Sequence, residues 1–356
     1  MQVLAPVPVA ELRPRFPWLT YQEPEAHLPD LADRLAALPG IGPAATVGGL
    51  SYKDDSTLAL LAERGLRGAW RIDPGADLGL GEGRAEIESI QERLTPAAAE
   101  RVLRRTGGAD LLLARHVVEH VDGMTAFVAA LRTLLKPGGR LVVEVPDCAR
   151  AFRLGDYTTL WEEHLISFTP ATFRSFFPLR GFSLPEVLRY PYPFEDSLVA
   201  VARLDPAAAT VPAGAGAGEA GEFAAFAAGL PGRRALVRAR LAREVAAGGA
   251  VALLGAGHAA GTFLNLFGLG DLVSFVADDN PNKAGLFMPG SRVPILPSRA
   301  LLERDVRLCL LAVGSSAEDR VLARNAGFLA RGGRFASIYP ASPLALNLGP
   351  AGGGGA

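Results

Sequence analysis

The sequence predicts an α/β protein with two Rossmann-like lobes. Three observations carry that reading: strand-like and helical segments alternate in two separate series, an Ala/Gly/Pro-rich stretch divides the series, and 356 residues exceed what one core usually serves. A hydrophobic fraction of 49% is enough to fill two interiors.

Residues 1–40 are rich in proline and read as an N-terminal cap segment. The first lobe spans 41–204. Within it 43–48 (PAATVG) reads as a short buried strand, 56–64 (STLALLAER) as a helix capped by Ser56, and 68–73 (GAWRID) as an apolar strand ending in an acid. Helix 96–105, strand 110–114 (DLLLA), helix 125–135 and strand 140–145 (RLVVEV) follow, and 182–188 with 197–203 complete the sheet. Strands alternating with helices of about ten residues imply right-handed crossovers and a mainly parallel arrangement. Residues 205–248 read as a linker followed by a helix over 223–247 with a break at Pro231-Gly232. The second lobe, 249–345, restarts the alternation with strands at 250–254, 272–277, 306–313 and 334–338 and with helices from Ala259 and Ser316; 346–356 reads as a flexible tail.

Composition narrows the function classes. A net charge of −1 offers no general attraction to nucleic acid or anionic membranes. Only three of the 36 basic residues are lysines, a codon bias rather than chemistry. Cys148 and Cys309 have neither disulfide-framework nor zinc-ligand spacing, and no apolar run approaches the roughly 20 residues of a membrane span. The expectation is a cytoplasmic enzyme without a metal, acting on a small molecule, with its oligomeric state open.

Residues 134–143 (LLKPGGRLVV) alone form an αβ corner. Placed after 110–121 (DLLLARHVVEHV), they give strand, helix, KPGG turn and strand, an order that resembles the fourth and fifth strands of class I S-adenosylmethionine (SAM)-dependent methyltransferases. The resemblance implies a Rossmann-like SAM domain. Arg115 and His116 then edge the cofactor pocket, while Glu119 and His120 hold the local helix. His116-Val-Val-Glu119-His120 also matches the H-x-x-E-H pattern in which two histidines on one helix face bind zinc, with no third ligand evident. Asp73 stands where open α/β sheets place a carboxylate for ribose hydroxyls. Gly48 and Gly49 let backbone approach a cofactor closely, although Thr46 takes the place of the family's acid and the loop through Tyr52 and Lys53 is longer.

The stretch 156–170 collects carboxylates, a histidine and aromatics at the carboxyl edge of the sheet, where Glu163 beside His164 makes a general-base pair. It resembles the Tyr-His-Glu-His-Leu-Ser-Tyr-Phe-Ser motif of sugar C-methyltransferases: Glu163, His164, Leu165 and Phe168 match, whereas Trp161 and Glu162 replace Tyr and His. In the second lobe Gly255-Ala-Gly257-His258-Ala-Ala-Gly261 is a dinucleotide-like turn, which with Asp278 or Asp279 also supports an NAD-dependent dehydrogenase. Followed by Asn280-Pro-Asn-Lys283, Gly285, Pro289-Gly290 and Val293-Pro294-Ile295, it resembles the C-terminal domain of the same C-methyltransferases. Their N-terminal zinc domain has no counterpart in the cysteine-free residues 1–40.

The family resemblance implies methylation of carbon next to the ketone of a nucleotide-linked sugar. His164 is expected to remove the proton and Glu163 to orient it, with Tyr52, Tyr157 or His258 as oxyanion donors and Trp161, His258, Asn280 and Lys283 toward substrate. The alternatives are a keto-sugar epimerase or isomerase on the same fold, an O- or N-methyltransferase, and a non-catalytic nucleotide-binding partner.

Overall fold

The structure is a computed structural model that describes residues 23–80, 87–161, 163–183, 185–205 and 217–348. It divides into two compact units, one holding 23–149 and 163–205, the other 150–161 and 218–348. Residues 150–161, expected in the first lobe, pack with the second unit. The physical cause is aromatic: the Phe152 ring lies 5.0 Å from Phe226, and Tyr157 stacks on Phe226 at 4.3 Å.

The first unit is a six-stranded sheet in the order β2-β1-β3-β4-β6-β5, with β1 Thr46–Gly49, β2 Gly68–Arg71, β3 Ala109–Arg115, β4 Leu135–Asp147, β5 Glu186–Tyr190 and β6 Asp196–Arg203. The first four strands are parallel, and β6 runs antiparallel to both β4 and β5. Alternate residues of β3 feed opposite cores. Leu112 and Ala114 join Leu141 and Val143 on one face, while Leu111 and Leu113 meet Val142 and helices α1 (Leu28–Ala36) and α2 (Asp55–Glu63) on the other. Burial on both faces explains why these strands read as continuous apolar runs. Truncating one such leucine to alanine costs about 2–5 kcal/mol, a large part of a net stability of about 5–15.

Local chemistry sets the element ends. The side chain of Thr95 caps α4 (Pro96–Thr106), accepting from the Ala98 amide at 3.2 Å, and Gly107 ends the helix in the left-handed region. The KPGG segment between α5 (Met124–Leu134) and β4 is not a free turn, because β4 already begins at Leu135. Gly139 is demanded there: a Cβ would lie 2.8 Å from the Ala109 carbonyl oxygen.

The second unit is a five-stranded parallel sheet ordered β11-β10-β7-β8-β9, with β7 Ala250–Leu254, β8 Phe275–Ala277, β9 Ile295–Leu296, β10 Val306–Leu311 and β11 Arg334–Ser337. The expected strand over 272–277 starts later, since the Leu272 and Val273 amides both donate to the Leu269 carbonyl in a turn. Preceding the sheet, a single helix spans Ala217–Ala246 and passes through Pro231, where a break was expected; Phe226, Val237 and Leu241 along it are buried. Among the described residues, no helix is long and apolar enough to cross a membrane.

Candidate active site

The parallel strands of the first unit end at one carboxyl edge. Leaving β1 there, the chain makes a single 3-10 turn, Tyr52–Asp54, before α2. Asp54 is fully buried: its Oδ2 accepts from the amides of Leu50 at 2.7 Å and Ser51 at 3.0 Å, and its Oδ1 accepts from the Arg115 amide at 3.0 Å. Asp54, which the sequence pattern did not single out, thus ties the turn after β1 to β3. Burial pushes its carboxyl up to about 6, against the three amide donors and the Arg115 charge.

The two glycines that end β1 are tightly packed. A Cβ on Gly48 would lie 2.5 Å from the Trp70 ring, and one on Gly49 3.0 Å from Leu58 Cδ1 and 3.1 Å from Asp54 Cβ. Their missing side chains make room for the protein's own packing. Asp73, by contrast, is exposed at the end of β2, where its Oδ1 accepts from the Ala76 amide at 2.7 Å. Tyr52 is 52% exposed on the same edge, and Lys53 pairs with Glu23 at 2.5 Å.

Arg115 and His116, expected to edge the cofactor pocket, are both buried in an ion cluster around Glu144. Glu144, itself buried, accepts from Arg115 Nε at 2.6 Å and Ser197 Oγ at 2.7 Å, with His27 Nε2 at 3.0 Å and His116 Nε2 at 3.3 Å. Arg115 also donates to the Lys53 carbonyl and pairs with Glu25 at 3.4 Å. Although burial opposes it, the carboxylates of Glu23, Glu119 and Glu144 push His116 up to about 10. Those same cations hold Glu144 well below the usual carboxylate range despite its burial. His116 pays for this position with a φ of +49°, a left-handed conformation that costs about 1–2 kcal/mol.

Beyond His116 the chain forms a 3-10 turn, Val118–His120. The 163–169 segment is tied to this region by the Ile166 amide, which donates to the Glu119 carbonyl at 3.0 Å, and by the Phe168 carbonyl, which accepts from Cys148 at 2.9 Å. Thr169 then caps the helix Pro170–Phe176. The result sets the half-buried His164 ring edge-on to His120, with centroids 4.7 Å apart and planes at 89°. One ligand atom each of Glu119, His120 and His164 lies within 4.8 Å of the other two. Glu119 and His120, expected only to hold the local helix, therefore face the catalytic candidate. The H-x-x-E-H spacing carried the signal, but the fold joins His120 to His164 rather than to His116.

In the second unit Trp161 stacks on His258, with centroids 4.9 Å apart at 29°. Gly255, at φ +102°, begins the turn into the helix His258–Phe267, and a Cβ there would lie 2.7 Å from the Ala312 carbonyl oxygen. Lys283 does not face a substrate: it is buried, donates to the Ala256 carbonyl at 2.9 Å and pairs with Asp278 at 3.2 Å. Asp278 accepts from the Ala256 amide and Asp279 from Ser298, each at 2.8 Å, so both acids of an NAD site are committed to the protein. Asn280 is half-buried and accepts from the Asn282 amide at 3.0 Å. Tyr157, expected as an oxyanion donor, is buried and gives its hydroxyl to the Phe226 carbonyl at 2.6 Å.

Comparison with known proteins adds to this geometry. Residues 18–187 match the model of a methyltransferase domain, and 210–340 match that of the C-methyltransferase C-terminal domain. The C-methyltransferase NovU of Streptomyces niveus is 27% identical over 281 residues, covering 76% of this chain and 66% of that protein's length. Among solved structures, the 1,6-didemethyltoxoflavin-N1-methyltransferase of Burkholderia thailandensis aligns at 18% identity and a TM-score of 0.35, over 51% of this chain and 79% of its own. The magnesium protoporphyrin IX methyltransferase of Synechocystis PCC 6803 aligns at 16% and 0.34, over 50% and 82%.

Proposed function

We propose that this chain, which belongs to the SAM-dependent methyltransferases and carries the C-terminal domain of C-methyltransferases, methylates a carbon beside the carbonyl of a small polar substrate, of which a nucleotide-linked keto sugar is the best fit. The observation that carries the reading is the placement of His164 against His120 and Glu119, in the unit whose second strand ends at the exposed Asp73. Asp73 would hold the cofactor's ribose hydroxyls. When bound, SAM supplies an electrophilic methyl group.

His164 takes the proton from the carbon next to the carbonyl, and the electron pair left behind forms an enolate. The buried Glu119 carboxylate lies close enough to favour the imidazolium that results. Of the residues expected as oxyanion donors, Tyr52 keeps an exposed position at the carboxyl edge and takes that role here. Incubating the chain with SAM and a panel of nucleotide keto sugars in deuterated water tests the proposal. Methyl transfer that falls at least a hundredfold in His164→Gln is expected; methylation of an oxygen or nitrogen would overturn the carbon assignment.

A second reading is a keto-sugar epimerase that uses the same base. Deuterium uptake without methyl transfer in the same incubation would establish it.

A further inference from the structure

We infer that Glu119, His120 and His164 form a binding site for a divalent transition cation of the zinc type, and that a cation there competes with proton removal by His164. The clause on competition rests on the proposed role of His164; the site itself does not.

Two observations point to a ligand. Two imidazoles and one carboxylate, from two separate stretches of chain, bring one ligand atom each within 4.8 Å of one another. In addition, Glu119 is 1% exposed, and its Oε2 has no hydrogen-bond partner among the described residues, whereas Oε1 faces His116 Nδ1 at 3.3 Å. A buried carboxylate oxygen without a donor is costly unless a cation or proton meets it. Two histidines and a glutamate are the donor set of catalytic zinc sites with an open fourth position, and imidazole with carboxylate also suits cobalt and nickel. Bonds of about 2.1 Å in a tetrahedron separate ligand atoms by about 3.4 Å, so the three groups need only draw in by about an ångström. The His116 contact to Oε1 would fix the carboxylate as outer-sphere partners of metal ligands do.

No covalent step is involved. The cation takes the lone pair of one nitrogen on each imidazole, and the His164 nitrogen that would accept the substrate proton is then engaged.

The test uses untagged, chelator-treated full-length chain and titrates it with Zn2+ by calorimetry and with Co2+ by visible absorption, without SAM or acceptor. One cation per chain is expected, with the intense absorption bands of low-coordinate cobalt. Affinity should fall at least tenfold in both Glu119→Gln and His120→Gln, with circular dichroism showing that each variant folds. Absence of stoichiometric binding, or binding unchanged in both variants, overturns the site. In a methyl-transfer assay, Zn2+ should inhibit with a midpoint that tracks the calorimetric affinity; saturating Zn2+ without inhibition overturns the competition. Loss of transfer in His164→Gln together with no cation binding would remove this inference and leave the proposed function standing.

Discussion

Replacing Glu144 by Gln removes one negative charge from a fully buried position while keeping the shape of the side chain. Arg115, 2.6 Å away and 1% exposed, and His116, 3.3 Å away, would stay buried as cations without their central partner. At an effective dielectric of about 20, the gross attraction between unit charges at the Arg115 distance is about 6 kcal/mol. Breaking a buried pair on one side costs about 3–5 kcal/mol in practice, because the surviving charge is left uncompensated. The two units need not unfold together, so a single global melt is a poor readout. Hydrogen exchange with mass spectrometry resolves them. Peptides covering β3 and β4 should lose about 3–5 kcal/mol of protection at pH 7, while peptides over β7 and β10 should be unchanged. A control, Ser197→Ala, removes only the 2.7 Å hydrogen bond to Glu144 and should cost about 1 kcal/mol. A loss below about 1 kcal/mol in Glu144→Gln, or an equal loss in both units, would refute the cluster as a source of stability.

The same cluster predicts a pH dependence. His116 is raised from its ordinary 6.5 to about 10, so its contribution is complete below about pH 6.5 and is lost as pH climbs through 10; urea midpoints should fall across that window and the fall should flatten in His116→Asn. Asp54 is raised from 3.8 to about 6, so the fold should separately lose stability as pH rises between those values, and Asp54→Ala should abolish that step. Gly48→Ala should destabilise by about 1–3 kcal/mol in a thermal melt, because its Cβ meets the Trp70 ring, and the double variant with Trp70→Leu should recover most of the loss. Lys283→Met should cost the second unit about 3 kcal/mol by leaving Asp278 without its cation, yet leave the acceptor KM unchanged.

Much of the fold was legible in the sequence. Apolar runs buried on both faces announced the parallel strands, and the helix expected over 96–105 forms as α4. What depended on distant packing was not. Pro231 sits in a continuous helix, and residues 150–161 join the second unit because Phe152 and Tyr157 meet Phe226. At the candidate site, the expectation for His164 rests on its neighbours in the chain, but Glu119 and His120, which the fold places beside it, come from another loop, and Glu144 looks in sequence like any residue of a buried strand. The packing of Gly48 against the Trp70 ring was not legible either, since it depends on a residue of the neighbouring strand. Lys283 and Tyr157 were assigned to ligands on their chemistry alone, whereas the fold spends both on internal bonds.

Titration of the intact chain with S-adenosylhomocysteine in a calorimeter asks whether a methyl donor binds at the carboxyl ends of β1 and β2. One site per chain is predicted, with affinity weakened at least tenfold in Asp73→Ala and untouched in Lys283→Met. No heat with this ligand, or equal binding after the Asp73 substitution, would contradict the account.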